Sequence, residues 1–104
     1  MDKELVKRKI KDAIIKQDST AQVILFGSRA RGSETIDSDW DILVLLDKPS
    51  VTFKDEQLIR HKLYDIELEA EEPISTFVYS LGDWNTRHSV TPLYKNVQTD
   101  GVYL

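Results

Sequence analysis

Along the first seventeen residues, apolar side chains return at helical spacing. Leu5, Val6, Ile10, Ala13 and Ile14 fall on one stripe, and Lys3, Lys7, Arg8, Lys11 and Lys16 lie largely on the other faces. This predicts an amphipathic helix over Asp2–Gln17, with the lysines as its solvated face. Asp18-Ser19-Thr20 ends it and leads into a different period. Val23–Phe26 is an unbroken apolar run closed by Gly27, which predicts a buried strand. Arg29–Arg31 has room for one helical turn, stopped by Gly32. Asp39–Leu46 reads as a second strand, and its apolar half, Ile42–Leu46, suits burial on both faces.

Asp47-Lys48-Pro49-Ser50 is a turn, and Thr52-Phe53-Lys54-Asp55 fits a capping box with Thr52 as N-cap. The helix it opens runs to about Glu69, with Leu58, Ile59, Leu63, Ile66 and Ala70 as its apolar stripe. Glu67, Glu69, Glu71 and Glu72 crowd its end, against the helix macrodipole. They read as a solvated acidic surface, or as a contact for a metal or a basic partner. Ile74–Leu81 reads as a third strand, with Ile74, Thr76 and Val78 on one face and Ser75, Phe77 and Tyr79 on the other; Gly82-Asp83 breaks it. Val90–Val97 suits a short helix, Pro92 being tolerated in a first turn, and Asp100-Gly101 turns into Val102-Tyr103-Leu104. Helix, strand, strand, helix, strand, helix is an α/β or α+β arrangement.

Two interruptions of this pattern carry chemistry. Asp39 and Asp41 share one face of the second strand, while Trp40 and Ile42 take the other. Trp40 therefore reads as core. Asp41 lies inside an otherwise apolar run, and burying an unpaired carboxylate costs several kcal/mol. A hard divalent cation such as Mg²⁺ would relieve two carboxylates so placed, since it takes one or two carboxylates together with substrate phosphates. The Gly27-Ser28 turn offers backbone N–H groups, a hydroxyl and a glycine that admits close approach, which is what a phosphate needs. Arg29 and Arg31 are phosphate candidates, but helical spacing cannot aim both at one ligand; a solvated loop is the equal alternative. His61 and His88 stand alone, without neighbours at ligand spacing, and read as structural or surface residues.

Composition narrows the class. The chain has 104 residues, 40% hydrophobic and 31% charged, which suits one small globular domain over residues 1–104. It has no cysteine, so disulfides and thiolate metal sites are excluded. No apolar run approaches the roughly 20 residues of a membrane span, and the first residues lack a signal-peptide core, so a cytoplasmic location is the expectation. A net charge of −4 argues against strong nucleic-acid binding but allows a nucleotide.

Gly27-Ser28-Arg29-Ala30-Arg31-Gly32 followed by Asp39-Trp40-Asp41 resembles the signature of the DNA polymerase beta-like nucleotidyltransferase superfamily. Within it the chain is similar to the minimal nucleotidyltransferases, and the likeness spans essentially the whole length. The resemblance implies the nucleotidyltransferase fold: a small mixed sheet with helices packed on one side. It implies that Asp39 and Asp41 are the catalytic metal pair, holding one or two Mg²⁺ ions, that Ser28 holds a triphosphate oxygen, and that Gly27 permits the approach. The implied reaction moves a nucleoside monophosphate from an NTP, ATP being the expected donor, to an acceptor hydroxyl. A protein is the expected acceptor, and the implied partner is a helical HEPN-domain protein in a toxin–antitoxin pair, with this chain as the antitoxin.

One departure bears on activity. Active members of the superfamily usually carry a third carboxylate on the strand after the second helix, and Ile74–Ser80 contains no acid. Glu67, Glu69, Glu72 and Asp83 are the candidates to replace it. The alternative expectation is a protein that keeps the fold and neutralises its partner by contact alone. Self-association is a further expectation for a small domain with exposed apolar surface.

Overall fold

A computed structural model describes residues 1–104. Helix α1 (Lys3–Gln17) leads to strand β1 (Gln22–Phe26), a single turn α2 (Ser28–Arg31) and strand β2 (Trp40–Leu46). Helix α3 (Phe53–Ala70), strand β3 (Ile74–Ser80), short helices α4 (Leu81–Asn85) and α5 (Pro92–Asp100), and strand β4 (Val102–Tyr103) complete the chain. The sheet order is β3-β2-β1-β4. β1 runs antiparallel to β2 and β4, and β2 runs parallel to β3, so the sheet is mixed. The β2–α3–β3 unit forms the parallel crossover, which needs a helix to bring the chain back.

Local signals start the helices where the side chains demand it. Asp2 caps α1, accepting from the Glu4 N–H at 2.7 Å. The capping box of α3 is complete: the Thr52 hydroxyl accepts from the Asp55 N–H at 3.1 Å, and the Asp55 carboxylate accepts from the Thr52 N–H at 3.0 Å. One face of the sheet packs under α1 and α3, where Ile10, Ile14, Ile42, Val44, Ile59 and Leu63 are at most 1% exposed.

The expected one-sided packing needs correction. Ile24, Phe26, Leu43 and Leu45 form a second buried cluster with Trp84 and Val97, so α4 and α5 cover the opposite face. The reason is in the strands: β1 and β2 are apolar at successive positions, and a strand apolar on both faces needs cover on both. The break expected at Gly82-Asp83 is instead the first turn of α4. The Ser80 hydroxyl caps it, accepting from the Asp83 N–H at 3.1 Å, and Trp84 is buried. At the acidic end of α3, Glu69 and Glu71 are exposed, and Glu69 pairs with Lys9 of α1 at 2.9 Å. No helix is long and apolar enough to cross a membrane.

Candidate active site

The two halves of the motif meet at one end of the sheet. β1 ends at Phe26, which lies opposite Asp41 in the antiparallel register, and Asp41 lies beside Ser75 in the parallel one. Phe26, Asp41 and Ser75 are therefore neighbours on the face that α4 and α5 cover further along. Gly27 follows with φ 79° and ψ −158°, a conformation essentially reserved for glycine. A Cβ added there would overlap the Asp41 carboxylate. The glycine thus serves both backbone and packing, because the chain at the turn lies directly against that carboxylate. α2 spans one turn and stops at Gly32, whose φ of 78° is left-handed.

Asp41 is half-buried, and its carboxyl is pushed above the usual carboxylate range. Burial is the main cause, the like charge of Asp39 adds to it, and Arg31 offsets part. Asp39 sits just before β2, exposed, and accepts a hydrogen bond from the Ser75 hydroxyl at 3.0 Å. Arg31 is half-exposed, and its guanidinium donates to Asp100 of α5 at 2.8 Å.

Arg29 is placed differently. Its side chain is 4% exposed and donates to the Ser38 carbonyl from Nε at 3.2 Å and from Nη2 at 2.9 Å. The same Nη2 lies 3.5 Å from Glu72, and the guanidinium stacks 4.5 Å from the Trp40 ring centre. A buried arginine stays charged, and here protein groups surround it. Two residues on one helical turn project roughly 200° apart, which is why Arg29 turns inward and Arg31 outward.

The structure brings Gly27, Ser28, Asp39 and Asp41 to one end of the sheet, with Arg31 near enough to act on Asp41, and engages Arg29 elsewhere. It brings no third acid to the pair. Glu72 accepts the Trp40 indole N–H at 3.0 Å, Glu69 is held by Lys9, and no group of three or more histidine, aspartate or glutamate side chains forms a metal cluster. Trp40 is buried, as its alternation requires. His88 packs against Tyr79 with ring centres 4.3 Å apart and the rings tilted by 41°, and His61 is exposed on α3.

Ser75 is the site residue that sequence reasoning missed. Its only signal is a small polar residue on a strand face otherwise made of Phe77 and Tyr79, and that becomes informative once β3 is known to run beside Asp41. The donor set suits a hard divalent cation: two carboxylates, one of them half-buried beside its like charge, next to a glycine turn where backbone can approach a phosphate. A cavity of about 370 Å³ between Trp84, Val97 and Gly101 is lined by none of these residues.

A family model described as a nucleotidyltransferase domain matches residues 7–95. Among solved structures, a toxin–antitoxin crystallised with AMP-PNP superposes with a TM-score of 0.67 at 21% identity, over 93% of this chain and 70% of that one. A mutant of the toxin–antitoxin MntA-HpeT, with two aspartates two residues apart changed to glutamate, gives a TM-score of 0.61 at 17% identity, over 99% and 72% of the two chains. At these identities the likeness shows the fold. No curated protein matches the sequence.

Proposed function

From the premise that the chain belongs to the nucleotidyltransferase domain family, we propose that it binds a Mg²⁺-complexed nucleoside triphosphate at the Gly27-Ser28 turn and the Asp39–Asp41 pair. It transfers the nucleoside monophosphate, AMP from ATP, to a hydroxyl of a partner protein: the new bond joins that oxygen to the α-phosphorus, the α–β anhydride bond breaks, and pyrophosphate and the hydroxyl proton leave. The partner in this reading is a HEPN-type helical toxin, this chain is the cytoplasmic antitoxin, and residues 1–104 act as one domain. The fold shared with a toxin–antitoxin crystallised with AMP-PNP supports the nucleotide, and the toxin–antitoxin neighbours support a protein partner.

The observation that carries the reading is the notch at Gly27. Asp41, already disfavoured as an anion by burial and by Asp39, lies against a backbone turn that only glycine can form. Asp39 and Asp41 would hold the metal. Bound Mg²⁺ would neutralise charge on the phosphoryl group being transferred. The Ser28 hydroxyl donates to a phosphate oxygen, and Gly27 leaves room for it. Arg31, half-exposed and electrostatically felt at Asp41, is the arginine of the motif that meets phosphate, exchanging its surface pair with Asp100 to do so; Arg29 is buried among its protein partners.

One observation favours a second reading. Ser75 stands beside Asp41 where a third carboxylate would complete the pair, so the chain would retain nucleotide binding and neutralise its partner by contact alone. Calorimetric titration of the purified protein with ATP, with and without Mg²⁺, tests the site, with Asp39→Asn/Asp41→Asn as control. The expected result is Mg²⁺-dependent binding lost in the double variant. A well-folded wild type that binds no ATP would refute the site assignment. Co-expression with the partner separates the two readings: neutralisation that survives the double substitution means that transfer is not needed.

A further inference from the structure

Asp39 is exposed and precedes β2, so no strand hydrogen bonding fixes it, yet both of its chain neighbours are gripped. On one side, Arg29 Nε and Nη2 fork onto the Ser38 carbonyl at 3.2 and 2.9 Å. On the other, the Trp40 ring is 1% exposed, stacked under the same guanidinium, and its indole N–H is held by Glu72 at 3.0 Å. Glu72 closes the ring with its other oxygen, 3.5 Å from Arg29 Nη2. The Trp40 backbone N–H adds a bond to the Pro73 carbonyl at 2.9 Å, beside Glu72. The ring thus joins α2, which follows the Gly27 turn, to the loop before Asp39 and to the α3–β3 connection. The Ser75 hydroxyl then fixes the Asp39 carboxylate itself.

We propose that Arg29 and Glu72 are the positioning residues of Asp39. Through Ser38 and Trp40 they hold the spacing of the Asp39–Asp41 pair and its place relative to the Gly27 turn. Neither is a phosphate or metal ligand. A fork of two parallel donors fixes a carbonyl in direction as well as distance, which a lysine cannot do. Outer partners that orient a ligand in this way typically change metal affinity 10–100-fold when they are altered.

The test uses the full chain with Arg29→Lys, which keeps the charge but loses the fork, and Glu72→Gln, which keeps an acceptor for the indole but loses the charge. Two readouts are taken: Mn²⁺ affinity, and amide exchange at Ser38 and Trp40, whose N–H groups are bonded to the Thr35 and Pro73 carbonyls, with the Trp40 indole N–H resonance alongside. The expected result is a loss of about 10–100-fold in Mn²⁺ affinity. Exchange at the hydrogen-bonded Ser38 and Trp40 amides should be at least about tenfold faster and the Trp40 indole signal should move, while α1 amides keep their protection. Wild-type affinity and wild-type exchange in folded variants would overturn the proposal. The affinity readout rests on the metal site proposed above. If the wild type binds no Mn²⁺, that site is refuted, and exchange at Ser38 and Trp40 still decides the role of the ring. Should Arg29→Lys fail to fold, Glu72→Gln, altered at a side chain that is 29% exposed, decides by the same criteria.

Discussion

Replacing Gly27 by alanine strikes the turn and the acid site with one methyl group. The turn has φ 79° and ψ −158°, where a side chain costs about 1–3 kcal/mol. The new Cβ would also overlap Asp41 Oδ2, so either the turn opens or the carboxylate moves. For a domain of this size each kcal/mol lowers Tm by roughly 4–8 °C, so a fall of about 5–20 °C is expected in metal-free buffer. Gly32→Ala supplies the comparison. Gly32 has a similar φ of 78°, but nothing lies within 4 Å of its added Cβ. That variant suffers only the left-handed backbone cost of about 1–2 kcal/mol and leaves Asp41 in place. Thermal melts followed by circular dichroism give the stabilities, and calorimetry with Mg²⁺ and ATP gives the binding. Gly27→Ala should lose binding at temperatures where it remains folded, and Gly32→Ala should keep it. Equal binding in the two variants would refute the assignment of the notch at Gly27 as the nucleotide site.

Asp41→Asn should raise Tm in metal-free buffer at neutral pH while abolishing metal binding. A carboxyl whose folded pKa is raised above its unfolded value destabilises the fold once ionised, so the gain should vanish below about pH 4 and grow as pH rises through the raised pKa. Melts of both proteins from pH 3 to 8 check the sign. Ser75→Asp should lower metal-free stability by adding a third negative charge, raise Mg²⁺ affinity, and raise any transfer rate; a fall in Mg²⁺ affinity would argue against Ser75 as the third position of the site. Asp55 is held at about 2 by the Lys48 ammonium at 2.7 Å and by the capping bond from Thr52. Its contribution is present above the unfolded value near 4 and is lost as pH falls towards 2, so the Tm gap between wild type and Asp55→Asn should close over that window. Thr52→Ala should cost about 1 kcal/mol in urea unfolding at pH 7, through the same cap.

Most of the framework was legible because its signals are short-range. The stripe of α1, the apolar runs of β1 and β2, and the capping box at Thr52 each lie within a few turns of chain, and each formed close to where the period placed it. The failures had tertiary causes. Gly82 was read as a breaker, but its conformation is ordinary for a helix, and burial of Trp84 with capping by Ser80 makes the turn helical. One-sided packing failed because the short helices α4 and α5 show little of their role until Ile24, Phe26, Leu43 and Leu45 are seen to need cover.

The candidate site divides along the same line. Gly27, Ser28, Asp39 and Asp41 sit in one short stretch, where strand alternation alone puts both aspartates on one face and Trp40 on the other. Helical rotation separates Arg29 from Arg31 on their shared turn, so the sequence could exclude a joint role but could not say which arginine turns inward. That choice is made by Glu72, forty-three residues away, and by Ser38 and Trp40, whose carbonyl and ring enclose a charge the core would otherwise reject. Glu72 looked from the sequence like a stand-in for a missing metal ligand. Its two oxygens are instead held by Trp40 and Arg29, which places it behind the aspartate pair as a counter-ion. A motif therefore lists the groups that face a ligand, while the groups that aim them come from elsewhere in the chain and emerge only when the fold closes.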